Sequence, residues 1–259
     1  MPTLNREEIL SINQKGWNKV APFFYGGTAL PNYGPLAATE NELNLIPDLR
    51  EGRVLELGCG SGHTLSYLWK NKNARELWGL DVSEEQIRFT KELLREKNIP
   101  AKLFLASMDE NSGIPENYFD LVVSIYSLGW TPDLDRTLAL ISSYLKPGGN
   151  FIFSWEHPSY RSLRYEAKIE KYVFEDSYLD EGPVIHPSWK GVEIVINHRK
   201  LSTYLNGIAQ SGLVLEKIVE CEPNMALARE QDFAPNQWYS VPRAQLLPTT
   251  FIVKAHKST

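Results

Sequence analysis

Cysteine is scarce in this chain: Cys59 and Cys221 are the only two among 259 residues. Two thiols build no disulfide framework, so the fold must rest on its core, which a chain of this length can supply, and a reducing cytoplasmic setting is expected. Long apolar runs are missing, and the N-terminal MPTLNREEIL has no basic head leading into an apolar stretch. Neither a membrane span nor an export signal is expected. Positive charge is in deficit, with 27 Lys and Arg against 32 Asp and Glu, a net charge of −5 and a pI of about 5.6. A duplex-binding surface must be cationic, so nucleic acid is not the expected partner. Repeats and low-complexity segments are absent, and no His, Cys and Asp residues stand at metal-ligand spacing, so no metal is expected. What remains is 42% hydrophobic and 23% charged residues, an ordinary globular balance with room for one large α/β domain and a cap.

Periodicity supplies the elements. Ile9, Ile12, Gly16 and Val20 mark one face of a helix over 6–20 that Ala21-Pro22 ends. An irregular stretch, Pro22 to Pro35, follows; its aromatics include Tyr25 and Tyr33, and such loops are often functional. From Arg53 strands and helices alternate: a strand at 54–57, a helix from His63 to Lys72, and a strand from Glu76 that ends at Asp81. A helix then opens on Ser83, with Gln86 completing a capping box. Further strands are expected at 102–106, 119–125 and 150–155, with a helix starting at Thr131-Pro132 between the last two. Residues 156–200 hold no clear unit and are rich in aromatics. A helix over 201–210 and strands over 213–220 and 249–256 close the chain. This order predicts a Rossmann-like α/β fold, a mostly parallel seven-stranded sheet with helices on both faces, an antiparallel edge strand and a cap insertion. The chain divides as one domain over 1–259: an N-terminal helix and lid segment (1–49), a cofactor-binding core (50–155), a substrate cap (156–200), and a C-terminal helix with a strand pair (201–259).

The central motif is Leu57-Gly58-Cys59-Gly60-Ser61-Gly62, after a strand and before a helix. In open α/β sheets ligands bind beyond the carboxyl ends of the strands. A dinucleotide fingerprint wants its third glycine where His63 stands, and a P-loop wants Gly-Lys-Ser or Gly-Lys-Thr, so the spacing disfavours NAD and nucleoside triphosphates. Asp81 offers a carboxylate to ribose hydroxyls, a role that NAD enzymes share. The glycines alone are also compatible with nothing more than a tight turn, and Asp81 with a helix-start carboxylate.

Four segments taken together resemble the class I S-adenosylmethionine-dependent methyltransferases: VLELGCGSG at 54–62, GLDVSEEQ at 79–86, YFDLVVS at 118–124 and LKPGGNFIFS at 145–154. The resemblance covers roughly 50–156 and, more weakly, 201–257. It implies S-adenosyl-L-methionine as cofactor and S-adenosyl-L-homocysteine as product. It also implies that Glu56, Gly58 and Gly60, with Cys59 between them, line the methionine part of the cofactor. Asp81 would hold the ribose, Val82 and Gln86 would lie near the adenine, and Ser107, Met108 and Asp109 would flank it. Ser124, Ile125 and Tyr126 would pass beneath the sulfonium. Many relatives carry an acid where Ser107 stands, so either that serine or Asp109 must accept the adenine amino group. Tyr25 and Tyr33 are read either as cofactor contacts or as packing of the N-terminal segment.

Methyl transfer from a sulfonium is an in-line displacement in which alignment and water exclusion do most, and a base is needed only where the acceptor must lose a proton. Imidazole suits that task. His157, at the end of the fifth strand with Glu156 beside it, is the first expected base and His198 the second; a hydrogen-bonded structural histidine is the alternative for each. The chain lacks the Asp/Asn-Pro-Pro-aromatic run of nucleic-acid amine enzymes after the fourth strand, having Ser124-Ile125-Tyr126-Ser127 instead. A small-molecule acceptor, taken by a monomer or homodimer, is therefore expected. An NAD-dependent oxidoreductase and a non-catalytic S-adenosylmethionine-binding module are the rival readings.

Overall fold

The computed structural model describes residues 4–27, 29–230 and 235–259; residues 1–3, Thr28 and residues 231–234 of the segments expected above lie outside them. Helix α1 (Arg6–Val20) opens with a capping box in which Asn5 and Glu8 satisfy each other's backbone N–H groups. Its buried face is Ile9, Asn13, Gly16 and Val20. A polar residue thus takes the place expected for Ile12, because the Asn13 side chain receives the Val195 N–H at 2.7 Å and donates to the Val195 carbonyl at 2.9 Å. Short helix α2 (Glu40–Leu43) precedes the alternating units β1 (Arg53–Leu57), α3 (His63–Asn71), β2 (Glu76–Asp81), α4 (Glu84–Glu96), β3 (Lys102–Leu105), β4 (Phe119–Ile125), α5 (Leu134–Tyr144) and β5 (Leu145–Glu156).

One cap and two boundaries differ from the sequence expectation. Ser83 caps α4 by accepting from the Gln86 N–H, but the Gln86 side chain does not reach back, and its Oε1 is buried without a partner. Helix α5 starts after Asp133, whose carboxylate accepts from Arg136 N; the Thr131 hydroxyl is bonded to Thr137 instead. Strand β5 begins at Leu145, which pairs with Phe119, so the Lys146-Pro147-Gly148-Gly149 turn lies within the strand.

The expected cap at 156–200 is two antiparallel hairpins, β6 (Leu163–Glu166) with β7 (Lys171–Phe174) and β8 (Gly182–Trp189) with β9 (Val192–His198). Lys190 and Gly191, both at positive φ, join the second pair; two such residues make the tight turn that suits strand twist. Helix α6 (Leu201–Gln210), strand β10 (Leu213–Glu220), helices α7 (Met225–Glu230) and α8 (Val241–Ala244), and strand β11 (Thr250–Lys257) complete the described elements.

The main sheet has seven strands in the order β10-β11-β5-β4-β1-β2-β3. All neighbours are parallel except at one side, where β11 runs antiparallel to both β5 and the edge strand β10. Strands β1 and β4 are buried almost throughout, as expected for strands covered on both faces, and the two large apolar clusters pack on opposite faces of the sheet. Helix α1 lies over the carboxyl ends of the strands. It is held by Asn13 to β9, by Gln14 to the Val82 carbonyl, by Asn18 to the Ser83 hydroxyl and by Arg6 to Asp109. Gly16 permits this approach: a Cβ there would stand 2.8 Å from the Glu193 carbonyl oxygen. No helix among the described residues is long and apolar enough to cross a membrane.

Candidate active site

The loop after β1 is built for a ligand to approach the backbone. Gly60 has φ +51°, and a Cβ added there would point into open space, with Gln86 Oε1, at 3.9 Å, the nearest atom. Thr90 Oγ1 holds the loop by donating to the Gly60 carbonyl at 2.6 Å. Asp81 ends β2 beside this loop and accepts from Gly60 N and Ser83 N, each at 2.9 Å. Burial pushes its carboxyl up to about 6, against the pull of those N–H groups.

Around them opens a cleft of about 870 Å³, counted out into the solvent at its mouth. Of the residues predicted at the cofactor, Gly58, Cys59, Gly60, Asp81, Val82, Gln86, Ser107, Met108, Ile125 and Tyr126 line it. Gln86 turns its unpartnered Oε1 toward Gly60. Ser107 donates its hydroxyl hydrogen to Asp109, which leaves the serine oxygen free to accept from an adenine amino group. Asp109 stands behind it, outside the cleft walls, and also takes Arg6 bidentately at 2.7 and 2.9 Å. Burial opposes charge on Asp109, but the hydrogen bonds from Arg6 and Ser107 hold its carboxyl below its usual range.

Other expected residues fall elsewhere. Tyr33 is fully buried and donates to Glu40 Oε2 at 2.7 Å, so it packs the N-terminal segment. Tyr25 is 47% exposed, its ring edge-on to His63 at 4.7 Å. Glu56 lies beneath the glycine loop rather than in its wall, one oxygen without a partner and the carboxyl driven up by burial. Ser124 is buried behind the wall against the Ser127 hydroxyl at 2.7 Å.

The three expected catalytic residues do not line the cleft. His157 donates from Nε2 to Glu220 at 2.6 Å and accepts the Ser159 N–H at Nδ1; this requires the neutral ring, and burial accordingly lowers its pKa. It sits at the β5, β11 and β10 side of the sheet, because β11 pairs beside β5 and carries β10 to the edge. His198 faces His186 at 6.1 Å between ring centroids. Burial, then Arg161 and His186, push its pKa down to about 4. Glu156 accepts from Trp238 Nε1 at 2.6 Å and from the Tyr239 hydroxyl at 2.7 Å; neighbours on a strand point to opposite faces, so it does not orient His157.

In the remaining wall, Trp17 and Trp130 were not anticipated, whereas Phe24 and Trp189 come from the two aromatic segments, 22–35 and 156–200, expected to lie over the cleft. Trp17 of α1, Phe24 and Trp130 line the cleft opposite the glycine loop. Trp17 meets Phe24, Trp130 and Trp189 edge-on at 5.2–5.5 Å, and Phe24 stacks on Trp189 at 5.1 Å. Their rings come from α1, the segment after it, the turn after β4 and β8, four places that no local pattern connects. Ser61 and His63 also join the lining; His63 Nδ1 lies 3.0 Å from Ser61 Oγ, and burial, then Lys97, lower its pKa.

Comparison with known proteins agrees with this geometry. Residues 54–149 match the family model described as "Methyltransferase domain". The crystal structure of an S-adenosylmethionine-dependent methyltransferase from Mesorhizobium loti superposes with a TM-score of 0.66 at 27% identity, over 83% of this chain and 95% of that one. An uncharacterized protein of Haemophilus influenzae is 26% identical over 188 residues, 69% of this chain and 73% of its own. A fatty-acid O-methyltransferase of Mycolicibacterium smegmatis is 32% identical over 122 residues, 47% of this chain. The match spans only 43% of that enzyme's length. Residues 54–149 thus form a methyltransferase domain, in a fold shared with S-adenosylmethionine-dependent methyltransferases, and this likeness implies S-adenosylmethionine as the cofactor.

Proposed function

We propose that the chain transfers the methyl group of S-adenosylmethionine to a small molecule with an apolar or ring-bearing body. One observation carries this reading: a single cleft runs from Asp81 and the glycine loop to an aromatic wall of Trp17, Phe24 and Trp130. The residues present fit the cofactor. The open space over Gly60 admits its backbone-hugging part, the Gln86 Oε1 lacks a partner, and Ser107 keeps a free lone pair beside Met108.

When bound, the cofactor supplies an already activated methyl group on a sulfonium. The chain's residues then position and enclose. Asp81 would accept the ribose hydroxyls, and Val82 and Met108 would lie beside the adenine. Ile125 and Tyr126 form the floor where β4 ends. The indoles of Trp17 and Trp130 would exclude water from the transfer. Helix α1 and the β8–β9 hairpin act as the roof, joined to each other through Asn13 and Val195. The acidic overall charge and the closed aromatic wall favour a small acceptor over a nucleic acid.

The test is transfer of label from methyl-labelled S-adenosylmethionine to pools of phenols, alcohols and fatty acids, with RNA and protein pools as controls. Labelled small molecules, lost with Trp130→Ala while S-adenosylhomocysteine affinity holds, are expected. Label appearing only in RNA or protein would overturn the reading.

A further inference from the structure

Behind the cleft wall lies a chain of hydrogen bonds that the transfer itself does not require. Tyr126 directly follows β4 and lies in the left-handed region, φ +55°; for a tyrosine this is a costly backbone conformation that its surroundings must enforce. Its N–H donates to the Ser154 carbonyl at 3.0 Å, and its ring is so closed in by Gly34 that a Cβ on that glycine would stand 2.6 Å away. The side chain is thereby fixed, half-buried, as part of the cleft wall. The Tyr126 hydroxyl meets the Tyr239 hydroxyl at 2.9 Å, and Tyr239 meets Glu156 Oε2 at 2.7 Å.

The direction of these bonds follows from the last one. A carboxylate has no hydrogen to give, so Tyr239 donates to Glu156. The Tyr239 oxygen must then accept, and Tyr126 donates to it. What the Tyr126 oxygen can still offer is lone-pair capacity, polarised by the carboxylate two bonds away, with the Thr250 hydroxyl beside it as the other donor.

We propose that this chain of Tyr126, Tyr239 and Glu156 is a proton route out of the cleft, and that the acceptor is therefore a hydroxyl compound, an alcohol or phenol that still holds its proton. The proposal rests on the methyl-transfer reading above. In the step, the acceptor oxygen forms a bond to the methyl carbon while the carbon–sulfur bond breaks, its electron pair staying on sulfur. The acceptor's proton passes to the Tyr126 oxygen, the Tyr126 proton to Tyr239, and the Tyr239 proton to Glu156. The sulfonium charge and the carboxylate charge vanish together, so no net charge is created. Tyr126 is the residue in contact with the acceptor; Tyr239 and Glu156 act through it.

The surroundings of Glu156 suit a proton acceptor. Burial raises its pKa above the ordinary carboxylate range, while Trp238, Tyr239, Arg243 and Arg161 pull the other way. Its other titratable neighbours, Tyr126, Tyr160, Tyr204 and Tyr239, are raised by burial and stay neutral near pH 7.

The test uses the full chain with methyl-labelled S-adenosylmethionine and 4-nitrophenol as the acceptor probe, assayed below and above the pH at which the free phenol ionises. Wild type is expected to methylate the probe at both. Glu156→Gln and Tyr239→Phe should each lower kcat at least tenfold at the pH where the probe holds its proton, with S-adenosylhomocysteine affinity and thermal stability measured on the same samples, and the loss should shrink at the pH where the probe arrives already ionised. Glu156→Asp should restore part of the rate toward the protonated probe. An equal loss at both pH values, no loss in folded Glu156→Gln, or transfer to carboxylic acids and not to the probe would overturn the route and leave methyl transfer standing. Failure of the methyl-transfer reading looks different: no acceptor of any class receives label.

Discussion

Asp81→Asn tests the cofactor cleft through its pH dependence. The free carboxyl sits at about 6, whereas a ribose held by two hydroxyl donors needs the ionised form. Binding must therefore displace a proton whenever the pH is below that value. Affinity for S-adenosylhomocysteine should be nearly level from pH 7 upward and fall about tenfold for each pH unit below about 6, or about 1.4 kcal/mol per unit. At pH 7 the asparagine variant, lacking a charged acceptor, should bind about ten- to a hundredfold more weakly, and its affinity should not show the acid fall. Without ligand the sign reverses. A carboxyl raised from 3.8 to about 6 on folding destabilises the fold as it ionises, so unliganded stability falls as pH rises through that window. Asp81→Asn removes the fall and should leave the unliganded protein no less stable at pH 7. Calorimetry across pH 5–8 with both proteins, beside thermal unfolding, supplies all the numbers. The paired comparison also separates Asp81 from His63, which titrates in the same cleft. A level affinity profile in wild type, or an acid fall that persists in the variant, would refute the assignment.

Two further substitutions probe the frame of the cleft. Asn13→Ala leaves both backbone groups of Val195 without their partner in a buried position; stability should fall by about 2–4 kcal/mol, and amide exchange in β9 should quicken, whereas unchanged exchange would mean that α1 does not hold the hairpin. His157→Ala should lower stability by about 1–3 kcal/mol and spare cofactor affinity and turnover. Because burial depresses the His157 pKa, its contribution to stability should decline as pH drops below 6.5, and the alanine variant should lack that decline; loss of turnover at full stability would return the residue to catalysis.

The cofactor half of the cleft was legible because its signals are local. Gly58 to Gly62, Asp81, Ser83 and Met108 each stand at a strand end, and strand order follows from the alternation once the motif places β1 at the centre. The acceptor half was not, because its wall is assembled from contacts distant in sequence. Trp17 lies on a helix whose periodicity was read only for its packing face, and nothing near Trp130 points to Trp189. Asn13 looked like a surface residue because its partner, Val195, is 182 positions away. The hairpin of β8 and β9 did have a signal, Lys190-Gly191 followed by the β-branched run Val192 to Ile196, but the surrounding aromatics obscured its alternation. His157 misled through position alone: the end of β5 faces the ligand side of the sheet, yet the insertion of β11 turned that residue toward Glu220.

The aromatic wall also makes this molecule its own optical reporter. Trp17, Trp130 and Trp189 are three of the seven tryptophans in the chain, and their ring centroids lie 5.2–6.0 Å apart. Indoles at that separation exchange excitation and share their near-ultraviolet transitions, so their emission and circular dichroism belong to the group rather than to any one ring. Because Trp17 rides on α1 and Trp189 on the hairpin, parting of the roof would uncouple them. A ligand that parted the roof would thus be read in the protein's own spectrum, without a label.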